Sequence, residues 1–473
     1  MGIDFQNPAY KNEIETWKRI ENVTSEKDVR QYLLDLVPDD IRADEYVGRE
    51  NRYRNEQYRN RAVFYGLASQ TLKGMVGSVF RKPPAISVPT GLEYINDNID
   101  GAGNSIQQQS RRVVGETASK GRAGLVVRYP RTEGQVSQAD INSGKMVATV
   151  ERVEAEQITN WDWKAEGSKI YLTLVVIAEK VKERGEDGYS YEEKDGFREL
   201  ALVEGVYVER LWVESERSGE FVIKEEYTPT KSDGSSWSEI PFQFIGSENN
   251  DFHVDDSPMK SMCNINIGHY RNSADYEYSV FFCGMAQPVI SGATADDMEE
   301  VRKSGFILGA GQLLTIGEGG KFTFEQASPN PMVREAMLDK VEQMVSLGAR
   351  MMSKGSAAKT ATQVDSEDAI NHSVISLVSA NVSEAYTKVL GWMCEYMGIE
   401  QPDDMKYVLN QDFVEIETQP QELQIIGNLF RTGAIPAGDY IAIMKRRGYF
   451  REDVSNEEYI EMLSQNLMVE GAV

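Results

Sequence analysis

The chain has 473 residues, of which 41% are hydrophobic and 26% charged, as is typical of a large protein with more than one substructure. Asp and Glu outnumber Lys and Arg by 75 to 50, which gives a formal net charge of -25. This balance argues against a tight, sequence-independent grip on nucleic-acid phosphates. The N-terminal sequence MGIDFQNPAY lacks the apolar run of a signal peptide, and no stretch approaches the ~18–20 apolar residues of a membrane span.

The N-terminal part of the chain is predicted to be helical. Residues 9–37 are typical of two helices, the second opened by a capping box of Ser25 and Asp28. A longer helix is expected from Arg49 to Phe80, where the following prolines end it. A further helix is predicted from Ser105 to Ser119.

The first half of the helix after Arg49, RENRYRNEQYRNR, is basic, and tyrosines interleave with its arginines. This pattern occurs on nucleic-acid-binding surfaces. It also occurs on helix faces that contact solvent or a neighbouring subunit. The acidity of the whole chain favours the second interpretation, and the first stays open.

The region from Leu125 to about residue 247 is predicted to be mainly β-structure. A strand at Leu125–Tyr129 is followed by apolar and alternating segments separated by polar turns. These segments are MVATVERV, KIYLTLVVIAEKV, FRELALVEG, VYVERLWVE, EFVIKEEYTP and IPFQF. Long helices followed by antiparallel strands indicate one α+β region.

The stretch from Ser257 to Lys354 is predicted to form a helix, a compact insert and a second helix. Ser257 and Pro258 fit the cap and first position of a helix that runs to Gly284. Asn330-Pro331 opens the second helix in the same way. Its apolar stripe comprises Met337, Val341, Met344, Val345, Gly348, Met351 and Met352. Two long helices that carry a small strand-rich module indicate a projecting arm.

The remainder is predicted to be helical with one interruption. Residues 353–362, SKGSAAKTAT, are small and include two lysines. An apolar stripe from Ile370 to Met393 then predicts a helix about 45 Å long that ends at Gly398. Residues 401–417 are expected to form a loop and a short strand. Three short helices are expected at 420–433, 436–448 and 455–467.

Residues that usually carry catalysis are sparse. The three cysteines (Cys263, Cys283 and Cys394) lie far apart in helical patterns, so we expect buried thiols and neither a disulfide framework nor a zinc site. The histidines (His253, His269 and His372) lack metal-ligand spacing, and we expect His269 to be a hydrogen-bonded helix residue. The cluster GAGQLLTIGEGG fails the dinucleotide-loop spacing and is typical of hairpin turns. We therefore predict that the chain is not an enzyme and uses no metal or cofactor.

Several segments resemble tailed-bacteriophage portal proteins, the head-to-tail connectors of these viruses. SPMKSMCNINIGHYRNSADYEYSVFFCGMAQPVISG is similar to their first stem helix and the start of the clip. LKGMVGSVFRKPP resembles a segment of the wing, and EIPFQFIGS resembles the strand before the stem. GFILGAGQLLTIGEGGKFTFEQASPNP resembles the rest of the clip, SKGSAAKTATQVDSEDA the tunnel loop, and FRTGAIPAGDYIAIMKRRGYF the crown. The resemblance covers nearly the whole chain and lies in the order of parts more than in invariant motifs.

The resemblance implies a portal-type fold. Its parts would be a wing at 1–256, stem helices at 257–283 and 329–352, a clip at 284–328, a tunnel loop at 353–364, a long helix at 365–400 and a crown at 401–473. It implies a ring, usually of twelve subunits, at one vertex of a virion capsid that is assembled in the host cytoplasm. Double-stranded DNA would pass through the ring with weak, non-specific contacts. The implied partners are the large terminase subunit, the major capsid and scaffolding proteins, and neck or adaptor proteins, with no membrane.

The resemblance also assigns roles to particular residues. The DNA-facing tunnel loop would include Lys354, Ser356, Ala357, Ala358, Lys359 and Thr360. The docking surface of the clip would include Asp296, Asp297, Glu299, Glu300, Arg302 and Lys303. Packing within the stem would involve Tyr270, Ala274, Met344, Gly348 and Met351. Two alternatives stay open: another head-completion component of a virion, and a soluble DNA-processing enzyme such as a nuclease.

Overall fold

The computed structural model describes residues 2–37, 45–130, 146–185, 187–215, 220–292, 294–296, 298–299, 319–328, 331–352, 373–411, 426–430, 432, 434–446, 455 and 457–460. The chain divides into two compact units, Met1–Asp412 and Phe413–Val473. The predicted α+β class is confirmed, since helices and antiparallel sheets both contribute to the first unit. Within the described residues, no helix has the length and apolarity needed to cross a membrane.

The described helices of the first unit are named here in chain order. They are α1 (Pro8–Ser25), α2 (Glu45–Arg61), α3 (Leu67–Val79), α4 (Ile106–Lys120), α5 (Lys260–Gly284), α6 (Met332–Met352) and α7 (Val374–Met397). Short 3-10 helices cover Val29–Tyr32, Thr90–Asn96 and Ala155–Gln157. In the second unit, α8 covers Ala437–Arg446, where Tyr440 stacks on Phe430 with ring centroids 4.3 Å apart.

The strands within the described residues form four antiparallel sheets. They are β1 (Ala85–Ser87), β2 (Arg122–Arg128), β3 (Thr149–Glu154), β4 (Ile158–Glu166), β5 (Lys169–Arg184), β6 (Tyr191–Val203), β7 (Val206–Glu214), β8 (Phe221–Tyr227), β9 (Phe242–Gly246), β10 (Gln287–Ser291), β11 (Lys321–Glu325) and β12 (Lys406–Val408). The strand orders are β4-β5-β6-β7-β8, β3-β2-β9, β1-β12 and β10-β11. The predicted strands are confirmed, and β4 is a strand that the sequence analysis missed.

The main core of the first unit lies between α4, α7 and the three-stranded sheet. Tyr386 on α7 is completely buried, and its hydroxyl donates to Gln109 Oε1 on α4 at 2.9 Å. Ser110 and Tyr407 join α4 to β12 through their hydroxyls at 2.6 Å. These buried hydrogen bonds fix the register between helices that are far apart in sequence.

Helix α7 confirms the predicted long helix over most of its length. Ser373 caps its N-terminus by accepting from the backbone N–H of Ser376, and Gly398 ends it in the left-handed conformation at φ 66°. Gly398 therefore serves as the predicted C-terminal stop. Ile370, the predicted start of the stripe, lies outside the described residues.

Two predictions for the N-terminal helices are wrong. The region 9–37 contains one long helix, because Ser25 ends α1 and only a 3-10 turn follows at Val29–Tyr32. Ser25 and Asp28 therefore form no capping box. The single helix expected from Arg49 to Phe80 is divided into α2 and α3 by five non-helical residues, Ala62–Gly66.

Side chains of α5 stabilise the break between α2 and α3. Asn266, completely buried, accepts from the backbone N–H of Ala68 at 3.0 Å and donates to the carbonyl of Tyr65 at 2.9 Å. The hydroxyl of Ser273 accepts from the N–H of Val63 at 3.0 Å. Backbone groups that a continuous helix would satisfy internally are thus satisfied by a distant segment, which explains why the local sequence pattern failed.

The start of α5 also differs from the prediction. The helix begins at Lys260, and Ser257 does not cap it. The Ser257 hydroxyl instead donates to the carbonyl of Lys120 at 2.8 Å. The Ser257 hydroxyl, which the local pattern assigned to a helix cap, therefore forms a tertiary hydrogen bond instead.

We expect Asn266→Ala to destabilise the fold by about 2 kcal/mol, because it leaves the Ala68 N–H without a partner among the described residues. It also removes one of the two hydrogen bonds to the Tyr65 carbonyl, which keeps only the Leu67 N–H at 2.8 Å. Asn264→Ala is the matched control, since Asn264 lies on the same helix and its side chain makes an exposed hydrogen bond with Arg19. We expect the control to change stability by less than about 0.5 kcal/mol. Urea unfolding followed by circular dichroism measures both, and equal losses would contradict the assigned role of Asn266.

Candidate interaction surface and its buried anchor

Helices α5 and α6 form an antiparallel pair with close contact at glycines. A Cβ atom at Gly268 would lie 3.2 Å from Lys340 Cε, and one at Gly348 would lie 3.5 Å from Met262 Cε. The pairing of β10 with β11, from Gln287↔Glu325 to Ser291↔Lys321, joins the far ends of the two helices. The predicted arrangement of helix, strand-rich insert and helix is therefore present in the described residues.

The residues expected to pack within the stem are buried within the single chain. They are Tyr270, Ala274, Met344, Gly348 and Met351. Tyr270 and Ala274 belong to a cluster with Leu33 and Tyr58, which lie on the chain before and within α2. The first part of α5 is therefore fixed against the N-terminal helices of the same chain.

The other side of α6 carries apolar side chains exposed to solvent. Leu338, Val345 and Met352 are 57%, 57% and 36% exposed, and they follow one another at intervals of seven residues. Such spacing places them on one helix face, as in helices that pack against a partner helix. Val345 and Met352 were predicted to be buried with the rest of the stripe, which is wrong for the single chain.

The end of α5 continues this exposed apolar character. Val280, Phe281 and Phe282 are between 46% and 50% exposed, and Met285 is 56% exposed. Together with Leu338, Val345 and Met352, we call them the α5–α6 apolar surface. Monomeric proteins seldom leave so many large apolar side chains in water along one structural feature, so this surface is a candidate site of association.

The base of α5 is anchored near a buried ammonium group. Lys120, at the end of α4, is 1% exposed. Its Nζ contacts the carboxylates of Glu156 at 2.8 Å, Glu116 at 3.0 Å and Glu21 at 3.1 Å. Its carbonyl accepts from Trp17 Nε1 at 3.1 Å as well as from Ser257. One residue thus connects α1, α4, the turn after β3 and the segment that leads into α5.

The electrostatics of this anchor follow from burial. Burial raises the pKa of Glu116 to about 7, even though the Lys120 ammonium opposes that shift. The pKa of Lys120 is raised because the attraction of Glu116 and Glu156 exceeds the cost of desolvation. Carboxylate oxygens of Glu116, Glu154 and Glu156 lie within 4.8 Å of one another, a spacing that would suit a metal ion. The Lys120 ammonium contacts Glu116 and Glu156, and Arg152 contacts Glu154 at 2.8 Å, so cations of the chain itself already face all three carboxylates.

The basic helix α2 divides into a structural part and an exposed part. Arg59 pairs with Asp35 at 2.6 Å, and the Arg61 guanidinium lies 4.0 Å from the centre of the Phe281 ring. Tyr58 donates to Asp275 Oδ1 at 2.6 Å, which together with burial raises the pKa of Tyr58. Much of the basic pattern therefore serves contacts within the chain. Arg52, Tyr53 and Arg54 are exposed.

The structure describes only some of the residues to which the resemblance gave roles. The tunnel-loop residues (Lys354, Ser356, Ala357, Ala358, Lys359 and Thr360) lie outside the described residues. So do Asp297, Glu300, Arg302 and Lys303 of the docking surface, together with His372. Asp296 and Glu299 are described, and both are exposed.

The cysteines and His269 were the other candidates for catalysis or metal binding, and the structure places them in the packing of the fold. All three cysteines are free; Cys263 and Cys394 are buried, as predicted, and Cys283 is half-buried. His269 lies on helix α5, as predicted, and is buried. Its Nδ1 makes no hydrogen bond to any described residue, so the predicted hydrogen bonding is wrong. Burial and the nearby Lys340 lower its pKa.

Comparisons with known proteins give distant similarities. A family model described as a domain of unknown function (DUF4055) matches residues 258–397, which is less than half of the chain. No curated protein sequence matches. The chain is similar, at 14% identity and a TM-score of 0.40, to a chain in the virion of a native gene transfer agent particle, over 82% of this chain and 92% of that one. It is similar, at 13% identity and a TM-score of 0.40, to a chain in the neck of an empty gene transfer agent particle, over 80% and 90%.

We expect Lys120→Met to lower the free energy of unfolding by about 3–5 kcal/mol, because Glu116 and Glu156 lose their buried counter-charge. Lys18→Met is the control, since Lys18 is exposed and forms a surface pair with Glu15, and its change should stay below about 1 kcal/mol. Thermal and urea unfolding measure both variants. A Lys120→Met protein as stable as the control would contradict the anchor.

The pH dependence of the free energy of unfolding, compared between the unmodified protein and Lys120→Met, provides a second readout. With the pKa of Glu116 raised from 4.5 to about 7, the folded chain binds more protons than the unfolded chain between these values. This group therefore makes the free energy of unfolding fall as pH rises through that window. The fall should be steeper in Lys120→Met, where no ammonium favours the ionised carboxylates.

Proposed function

We propose that this chain is a structural protein of a phage-like virion, of portal type, which assembles through its α5–α6 apolar surface into a ring. The observation that carries the proposal is the pair of long antiparallel helices with exposed apolar residues at seven-residue intervals on α6. Within one chain these residues lie in water, and a neighbouring copy would bury them. The sequence resemblance to portal proteins over the same segment supports this assignment.

Helix α6 has a buried apolar side and an exposed apolar side, as a subunit of a ring would need. Met344, Gly348 and Met351 are buried inside the chain, and a Cβ at Gly348 would lie 3.1 Å from Thr71 Cγ2 on α3 and 3.5 Å from Met262 Cε on α5. Leu338 and Val345 lie on a flanking side of the helix, about 100° around from that stripe, and are available to a neighbouring subunit. One side of α6 would thus pack within its own subunit, and an adjacent side would pack against the neighbouring subunit.

The ring would surround a channel for double-stranded DNA. Each copy contributes a net charge of -25, so the assembly as a whole repels phosphates and would let DNA move without tight binding. The insert between α5 and α6, with Asp296 and Glu299 exposed, would present the docking surface for a terminase motor and then for neck proteins. The protein would act by positioning and conducting DNA, with the chemistry left to its partners.

We expect the purified protein to form closed rings, and Val345→Glu to prevent them without unfolding the subunit, because a charge would face the neighbouring helix. Val222→Glu is the matched control, since Val222 is 49% exposed on β8, far along the chain from the helix pair. Native mass spectrometry and negative-stain images give the assembly state, and circular dichroism checks the fold.

Two outcomes would contradict this assignment. Monomers of the unmodified protein at every salt and protein concentration would exclude a ring-forming role. Rings that survive Val345→Glu, or that are lost equally in Val222→Glu, would place the subunit contacts outside the α5–α6 apolar surface.

A second expectation concerns the loop after α6. If Lys354 and Lys359 face the DNA, replacing both with Ala should leave ring assembly unchanged and alter DNA packaging or retention, because two positive charges per subunit are removed from the channel. Ring assembly is measured by native mass spectrometry, and DNA retention by nuclease protection of assembled particles. Loss of the rings themselves would place these lysines at a subunit contact.

A further inference from the structure

A polar cavity lies in the first unit, formed by residues that take no part in the α5–α6 apolar surface. Its volume is about 430 Å³, and it lies between α4, the β2–β3 pair and the loop after the 3-10 helix Thr90–Asn96. All eight described lining residues are polar or charged. They are Asp100, Asn104, Gln109, Arg112, Arg128, Thr149, Glu151 and Arg152.

Regular secondary structure holds most of this lining in place. Gln109 and Arg112 are three residues apart on α4 and so lie on one side of the helix. Arg128 at the end of β2 is paired with Thr149 on β3. Gln109 is itself fixed, since its amide donates to the carbonyl of Val150 at 2.7 Å. The cavity is therefore a preformed feature of the fold.

The positive charge of the lining is only partly balanced. Arg128 pairs with Glu151 at 2.6 Å, and Arg152 pairs at 2.8 Å with Glu154, which does not line the cavity. Asp100 accepts hydrogen bonds from its own loop, including Asn104 Nδ2 at 2.6 Å. Arg112 is exposed at the mouth of the lining and makes no ion pair or hydrogen bond with any residue that the structure describes.

A second donor at the same cavity also lacks an acceptor. Arg128 Nε is buried and has no hydrogen-bond partner in the described part of the chain. Buried N–H groups in proteins are nearly always paired, which makes this guanidinium unusual. Since Arg112 and Arg128 line the same cavity, one anion between them could contact both guanidinium groups.

From these observations we infer that the cavity binds a small phosphate-bearing ligand. A phosphate group offers several oxygens and up to two negative charges, which matches guanidinium groups approaching from different sides. A single carboxylate has two oxygens and one charge, and one arginine would satisfy it. The volume is within the range of small-molecule sites and would admit a pyrophosphate or the phosphates of a nucleotide. The inference does not depend on ring assembly.

Isothermal titration calorimetry with pyrophosphate, ATP and a short DNA duplex tests the inference on the full-length protein. We expect pyrophosphate or ATP to bind, and Arg112→Ala to weaken binding about tenfold or more, because a charge-assisted hydrogen bond is lost. Arg111→Ala is the matched control. It removes the same charge from the neighbouring residue, which is exposed like Arg112 but does not line the cavity and lies over the Phe80 ring at 5.1 Å.

The outcomes distinguish the possible sources of the phosphate. Binding of the duplex alone, weakened by Arg112→Ala but not by Arg111→Ala, would retain the phosphate site and assign the phosphate to nucleic acid. No binding of any of the three probes at millimolar concentration would overturn the inference. Equal weakening by the two substitutions would also overturn it, since only the net charge would then matter.

Discussion

The first unit depends on the burial of one ammonium group. Removing a lysine side chain from water is costly unless carboxylates and hydrogen bonds replace the lost hydration. Lys120 meets this requirement with carboxylates from α1, α4 and the turn after β3, three segments that are distant in sequence. The charge is therefore stable only when all three segments are in place, which couples their positions to one another.

Gly121 and Arg122, which follow Lys120, also hold the neighbouring segments in place, by close packing and by burial of a second cation. Gly121 has φ 79°, and a Cβ there would lie 2.7 Å from the carbonyl oxygen of Asp256, so the segment leading into α5 can approach closely. Arg122 is also buried, with its guanidinium 4.3 Å from the Trp161 ring and 4.1 Å from the Phe244 ring, and it donates to the carbonyl of His253 at 2.9 Å. Burial lowers its pKa to about 9. Three consecutive residues thus fix the base of the helix pair.

Features that depend on local sequence could be predicted. The helix predicted from Ser105 to Ser119 is α4, α7 ends at Gly398, and β5 to β8 follow their alternating patterns. The break at Ala62–Gly66 and the role of Ser257 could not be predicted, because residues far away in the sequence satisfy or recruit their polar groups.

The α5–α6 apolar surface and the polar cavity show the same limit of prediction from sequence. The apolar spacing on α6 predicted one buried stripe, and the sequence could not reveal that Val345 lies on a side left open by its own chain. Nor could spacing alone reveal the polar cavity, since Arg112 and Arg128 are brought together by the packing of α4 on the β2–β3 pair. Sequence periodicity predicts which residues share a face of a helix or strand, and only the tertiary structure shows what that face contacts.

The break between α2 and α3 has a consequence for how the chain folds during synthesis. The hydrogen bonds that hold it span 198, 201 and 210 residues. A nascent chain that has emerged only as far as β9 has no partner for these backbone groups, so its N-terminal helices cannot take their final arrangement. Folding of the first unit must therefore be completed late, after α5 has left the ribosome, and contacts of such long range are slow to form. This part of the molecule is synthesised first, yet its final arrangement needs a segment that is synthesised about 200 residues later.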